Sequence, residues 1–249
     1  MINFFRKIRR GLLSENKFSK YLLYAIEEII LVVIGILIAL QINNWNENRK
    51  DTIQEKVVLK NLLENLDLAR SQSVSLISNE DTLKKRLIRI LGIGSDPTKI
   101  VLIPDSIFKR AVWDLESDKP TFNAYDNLKN TDKLSLIKNK SISEKFTELE
   151  FRLNKLNDIL EDRLSVHQIR IDDILEKEIN FVPLVKSNVP EINIQNEEEN
   201  DYNRVLTDGR IRNLLGMKLT FTQDVIDRRK DLDREINELI MLLQHELKQ

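Results

Sequence analysis

Apolar and polar positions alternate along this chain in two different ways, and the change falls near residue 43. From Tyr21 to Ile42 the sequence reads YLLYAIEEIILVVIGILIALQI, with twelve consecutive apolar residues from Ile29 to Leu40. As a helix, 22 residues span about 33 Å at 1.5 Å per residue. A bilayer's hydrocarbon core is about 30 Å thick. The stretch predicts a transmembrane helix over 21–42. A buried helix in a soluble core would need apolar walls on every side, and the rest of the chain offers only one-faced stripes. No small-residue cleavage site follows the apolar run, which ends Ala39–Leu40–Gln41–Ile42–Asn43–Asn44–Trp45, so it reads as an uncleaved signal anchor. Tyr21, Tyr24 and Trp45 fall where interfacial aromatic belts occur.

Beyond residue 43 the apolar residues keep helical spacing. Residues 43–91 hold no Gly and no Pro. Leu59, Leu62, Leu66, Ala69, Ser73, Leu76, Glu80, Leu83, Leu87 and Ile90 step alternately by three and four, a heptad seam of coiled-coil type weakened in its middle by Ser73 and Glu80. Gly92, Gly94 and Pro97 end it. Lys99–Ile103 reads as a connector or edge strand before Pro104. A helix follows from Asp105 or Ser106 to about Glu116, with Trp113 packing beside its face, and then a short helix from Thr121 to Asn130. A second long helix is expected from Ser141 or Ser143 to about Asn180. It is capped by a Ser141/Glu144 box, and its stripe runs through Ile142, Phe146, Leu149, Leu153, Leu156, Leu160, Leu164, Ile171 and Ile174 or Leu175. Phe181–Asp201, with Pro183, Pro190 and the acidic run Glu197–Asp201, is a solvated linker. A last helix begins near Tyr202, breaks at Gly209 and continues to the end. Its face is marked by Leu215, Leu219, Thr222, Val225, Arg229, Leu232, Ile236, Leu239, Leu243 and Leu247. The expected fold class is all-α: one N-terminal transmembrane helix, then an elongated antiparallel bundle of long helices about 60 Å in length.

Charge gives the membrane segment a direction. Residues 1–50 hold eight Lys/Arg and four Asp/Glu, a net of +4; the totals of 39 and 40 leave 31 and 36 for residues 51–249, a net of −5. The first 20 residues carry six bases (Arg6, Lys7, Arg9, Arg10, Lys17, Lys20) and one acid, Glu15. Residues 43–60 carry four bases (Arg49, Lys50, Lys56, Lys60). The positive-inside rule therefore sets residues 1–20 as a basic cytoplasmic head, 21–42 as the transmembrane helix and 43–249 as a periplasmic helical domain. Ile2, Phe4, Phe5, Ile8, Leu12 and Leu13 among those bases make the head a short basic amphipathic helix suited to an anionic leaflet, or simply a topology-setting segment. Ser14 offers a cap for the helix entering the bilayer.

Within the membrane segment, Glu28, Gly35 and Ala39 fall on one face. Gly35 and Ala39 form a small-xxx-small pair that lets helices approach closely, and Glu28 lies two turns earlier. Glu27 and Glu28 either sit at headgroup level near Lys17 and Lys20 or make a polar contact with another membrane subunit.

Candidate chemistry is sparse. The chain has no Cys and two His, which excludes a disulfide framework, thiol catalysis and cysteine zinc sites. Near-neutral net charge excludes a polybasic nucleic-acid binder. Gly92-Ile-Gly94 lacks the further residues of a phosphate loop. Ser14-x-x-Lys17 and Ser135-x-x-Lys138 lack their companion motifs, and His245–Glu246 is not followed by a second His. His167 reads as a seam or surface residue near Asp172 and Asp173. Asp231, Asp233 and Glu235 point to different faces of one helix. No catalytic, cofactor-binding or metal-binding residue is assigned.

Leu31–Glu47 (LVVIGILIALQINNWNE), with the head INFFRKIRRGLLSENKFSKYLLYAIEEI, resembles a family of single-pass membrane proteins of unknown function found mainly in Bacteroidota. A weaker likeness covers Phe122–Asn139, where this chain has Thr131–Asp132 in place of a Gly-containing turn; Glu27–Glu28 is a second departure. The resemblance implies an inner-membrane protein of a Gram-negative bacterium and brings no catalytic residues. The expected function is a membrane-anchored periplasmic interaction protein, an accessory or scaffold subunit of an envelope complex without catalysis. Its partners would be membrane lipid and either another protein or a second copy. The alternative is a periplasmic sensory domain that binds a small ligand and signals through a membrane partner.

Overall fold

The structure, a computed structural model, describes residues 18–94 and 102–248. The basic head up to Lys17, the Ser14 cap and Lys99–Val101 lie outside the described residues. Among the described residues there is no strand. The helices are α1 (Phe18–Leu91), α2 (Asp105–Trp113), α3 (Asn123–Asn130), α4 (Lys140–Val166), α5 (Asp172–Glu178), α6 (Val182–Val185), α7 (Tyr202–Thr207) and α8 (Gly209–Glu246). A 3-10 turn (Leu134–Leu136) precedes α4, and a π-helical turn (His167–Ile171) joins α4 to α5. The chain divides into two compact units, Met1–Val57 and Val58–Gln249.

In the first unit, the side chains from Leu22 to Ile42 are exposed, with Ala25 half-buried. Leu31 is 74% exposed. Water does not tolerate such a face without cover, since each side chain of this size forgoes about 1.5–3 kcal/mol of burial. The most apolar window has a mean hydropathy of 2.5 and is 0% buried, and among the described residues α1 is the one helix long and apolar enough to cross a membrane.

In the second unit, all ten positions of the heptad seam are buried, Ser73 and Glu80 included. Leu59, Leu62, Leu66 and Ala69 join a core with Phe146, Leu149 and Leu156 of α4 and Leu232, Ile236 and Leu239 of α8. Leu83, Leu87, Ile90 and Leu91 join a second core with Phe108 of α2, Ile171, Leu175 and Leu215. Polar pairs tie α4 to α8. Asn139 donates to Glu246 at 2.7 Å, and Lys145 donates to Glu235 at 3.1 Å and also to Glu238. Tyr125 of α3 stacks on Phe146, ring centres 4.4 Å apart.

The ends follow from local chemistry. Gly92 adopts φ +65, its amide bonds the Arg89 carbonyl, and the Ile93 amide reaches back to Ile88. This is the paired bonding of a Schellman cap. Arg212 of α8 donates to the Leu91 carbonyl at 3.0 Å, satisfying one more orphan of that helix end.

Several boundaries differ from the sequence reading. α2 stops at Trp113 because Asp114 turns extended (φ −67, ψ 130). Asn139 caps α4 by accepting from the Ser141 amide, so the expected Ser141 box is displaced by a better-placed side chain. Leu164 is 40% exposed, and Arg163 and His167 hold the buried positions instead. The stripe then steps by four from His167 to Ile171 and again to Leu175, and the π turn absorbs the surplus residue.

Candidate functional site

Ser73 and Glu80 of α1, Arg163 of α4, His167 of the π turn, and Lys218, Thr222 and Arg229 of α8 are the buried polar residues between the two apolar cores. Glu80 is fully buried and accepts two hydrogen bonds from Arg163, Nη1 to Oε2 at 2.7 Å and Nη2 to Oε1 at 2.9 Å. Arg229 Nη2 lies 3.6 Å from Glu80 Oε1. One buried carboxylate thus faces two guanidiniums.

The remaining donors converge on the non-helical segment Asp114–Thr121 between α2 and α3. Lys218 donates to the carbonyls of Val112 and Asp114, the latter at 3.0 Å. Arg163 donates to the Glu116 carbonyl at 2.7 Å. Arg229 donates to the carbonyls of Glu116 at 3.1 Å and Asp118 at 2.9 Å. The strap acceptors Asp114, Glu116 and Asp118 fall at alternate residues, as on one side of an extended backbone, while Val112 belongs to the last turn of α2.

The opposite partner of this strap is α1. Asn65, Gln72, Asn79 and Arg86 recur every seven residues, hence on one face. Asn65 accepts from the Ala124 amide at 3.2 Å and Gln72 from the Thr121 amide at 2.9 Å. Asn79 donates to the Glu116 carboxylate at 2.8 Å, and Arg86 to that of Asp114 at 3.2 Å. Seven residues from Asp114 to Thr121 can reach about 23 Å when extended. Fourteen helical residues from Gln72 to Arg86 rise about 21 Å. The two lengths are comparable, and the paired residues show the strap running along α1 in the opposite direction. A groove of about 480 Å³ borders this contact, lined by Asn79, Thr82, Arg86, Trp113, Asp114 and Glu116 among others.

Burial sets the protonation of this layer. Lys218, 1% exposed, is pushed down to about 7, first by burial and then by the charge of Arg163. His167 is pushed down to about 4, by burial and then by Lys218, with Asp172 opposing. Burial likewise lowers Arg229. The His167 Nδ1, the Arg229 Nε and the Ser73 Oγ are buried without a hydrogen-bond partner. With donors committed to backbone carbonyls and almost no exposure, these charges organise the chain's own segment.

Sequence reasoning placed Glu28, Gly35 and Ala39 together on a membrane-helix face. All three are exposed in the first unit, and a side chain added at Gly35 would meet nothing within 4 Å. His167 is a buried seam residue, 3.4 Å from Asp172. Asp231, Asp233 and Glu235 separate as expected, pairing with Arg234, Asn237 and Lys145 respectively. Among the described residues no group of His, Asp and Glu is spaced to hold a metal. Missed altogether was the strap. Its signal was the heptad row Asn65–Gln72–Asn79–Arg86 lying beside the apolar seam, together with Arg163 and Lys218 at buried helical positions.

An unknown-function family, DUF6090, matches residues 28–90. The matched region is α1 from Glu28 to Ile90, and it includes both exposed apolar residues and the whole buried seam with Glu80. No curated protein matches the chain, and no solved structure does.

Proposed function

We propose that this chain is a single-pass inner-membrane protein of a Gram-negative bacterium. In this reading residues 1–20 lie in the cytoplasm, 21–42 cross the bilayer and 43–249 form a periplasmic antiparallel helical bundle that serves as a non-enzymatic accessory or scaffold subunit of an envelope complex. The observation that carries this reading is the uncovered apolar surface from Leu22 to Ile42, attached to a body whose own apolar stripes are satisfied internally. The contacts of Asn139 with Glu246 and of Lys145 with Glu235 support α4 and α8 running antiparallel. The flanking charge supports the orientation. Within the bilayer the face of Glu28, Gly35 and Ala39 would meet a protein partner or a second copy. The buried charges serve the fold, which leaves the body's outer surface as the working part.

The groove beside Trp113 favours a second reading, a sensory domain that takes a small polar ligand there and signals through a membrane partner. Fusions at Gln249 test the topology: alkaline phosphatase should be active and a cytoplasm-dependent fluorescent protein dark. Gentle detergent extraction then tests the scaffold role. The chain should migrate in an assembly well above its own 29.2 kDa. A dark phosphatase, or extraction as a lone chain, would overturn the proposal.

A further inference from the structure

Besides Lys218, which is pushed down to about 7, the polar layer holds a histidine, and the geometry around it directs what a proton there would do. His167 opens the π turn and is 6% exposed. Its Nδ1 has no hydrogen-bond partner, and its Nε2 lies 3.4 Å from the Asp172 carboxylate. The charged groups of the layer come from every side: Glu80 from α1, Arg163 from α4, Lys218 and Arg229 from α8, and the Asp114 and Glu116 carboxylates from the strap. Lys218 and Arg163 are the cations that act on His167, and Asp172 is the opposing anion. Lys218 is also what grips the Val112 and Asp114 carbonyls.

We infer that the layer is an acid-responsive latch: a proton on His167 places a new positive charge against Lys218 and Arg163, loosens the π turn, and frees the strap Asp114–Thr121 from the buried cations and from the polar row of α1. The effect is local for two reasons. Ile171 and Leu175, which the π turn keeps in register, belong to the core that includes Phe108 and Leu215. The core built on Leu149, Leu156, Leu232 and Ile236 has no residue from the π turn. Release would free Gln72, Asn79 and Arg86, a row of amide and guanidinium groups at seven-residue spacing, from their strap partners. Burial holds His167 neutral at pH 7 and down to about 4, so the folded layer resists protonation while the opened layer accepts it. Opening is therefore favoured as pH falls below the ordinary His value of about 6.5. The latch needs no assumption about which side of the membrane holds the body.

Hydrogen exchange on the full chain in detergent micelles tests this, with rates corrected for the intrinsic pH dependence of amide exchange. From pH 7.5 to pH 5, opening at residues 114–121 should rise about 27-fold, the change that linkage gives for a group titrating at about 4 when closed and about 6.5 when open. Peptides around Leu149–Leu156 and Leu232–Leu239 should change less than about twofold. His167→Gln and His167→Leu, which cannot titrate, should each flatten the response of the strap. A parent strap that does not respond, an equal response in both variants, or simultaneous opening of both cores would overturn the inference.

Discussion

Replacing Glu80 by Gln removes one charge and little volume. In the native layer that carboxylate accepts two bonds from Arg163 and faces Arg229 at 3.6 Å, and all three residues are at most 2% exposed. Gln keeps a carbonyl oxygen for one guanidinium but turns an amide donor toward the other. Two buried guanidiniums then lack a counter-charge. Removing one member of a buried ion pair costs about 3–5 kcal/mol, mostly because the charge left behind remains desolvated. For a chain of this size each kcal/mol lowers the thermal midpoint by about 2–4 °C, so Glu80→Gln should melt about 6–20 °C below the parent. Thermal unfolding followed by circular dichroism in detergent reads this directly. The companion triple variant, Glu80→Leu with Arg163→Met and Arg229→Met, sharpens the point. Apolar replacement of a self-contained buried triad is often neutral or stabilising. Here the two arginines also hold the carbonyls of Glu116 and Asp118, and each carbonyl left bare costs about 1–3 kcal/mol. The triple variant should therefore stay less stable than the parent. A midpoint within about 2 °C of the parent for Glu80→Gln, or a triple variant above the parent, would refute the reasoning.

Gly92→Ala places a side chain at φ +65 with open space around it, so the loss should be conformational alone, about 1 kcal/mol by urea unfolding. Lys218 has a folded pKa lowered to about 7 from 10.5. The folded state therefore binds fewer protons between those values, and stability should be lost as pH falls from about 10 toward 7 and should stop changing on this account below 7; Lys218→Met should flatten that slope in urea unfolding at pH 7, 8 and 9. Gly35→Leu with Ala39→Leu should weaken self-association in an inner-membrane two-hybrid assay at matched membrane levels, because bulky side chains forfeit close helix approach; a signal equal to the parent's would count against that face.

Long-range periodicity made much of the second unit legible. Ten seam positions of α1 were read from three-and-four spacing, and all ten are buried, because a heptad pattern carries its partner's location with it. Eight of the ten positions read on the last helix are buried, Arg229 among them, while Leu219 and Leu247 are half-buried. What spacing does not carry is why a polar residue belongs in a seam. Glu80 read as a weakness, since its partner Arg163 is 83 residues away and sits where Leu164 had been expected. Once Arg163 and His167 are admitted to the α4 stripe, the surplus residue before Ile171 forces a π turn, which a strictly α-helical reading does not allow. The strap was illegible for a different reason. Its backbone carbonyls are the recognised groups, and carbonyls leave no mark on sequence; only the row Asn65, Gln72, Asn79 and Arg86 betrays it.

The central claim is that residues 21–42 lie in a bilayer with the body beyond it, and the absence of cysteine makes it directly measurable, since any introduced thiol is the sole one. Ile34→Cys and Asn48→Cys would be exposed to a membrane-impermeant maleimide in cells whose outer membrane has been permeabilised. Asn48→Cys should label at once. Ile34→Cys should stay unlabelled until detergent strips the lipid away, although its side chain is exposed in the protein alone. Prompt labelling of Ile34→Cys in intact membranes, or labelling of Asn48→Cys only after the inner membrane is lysed, would contradict the account.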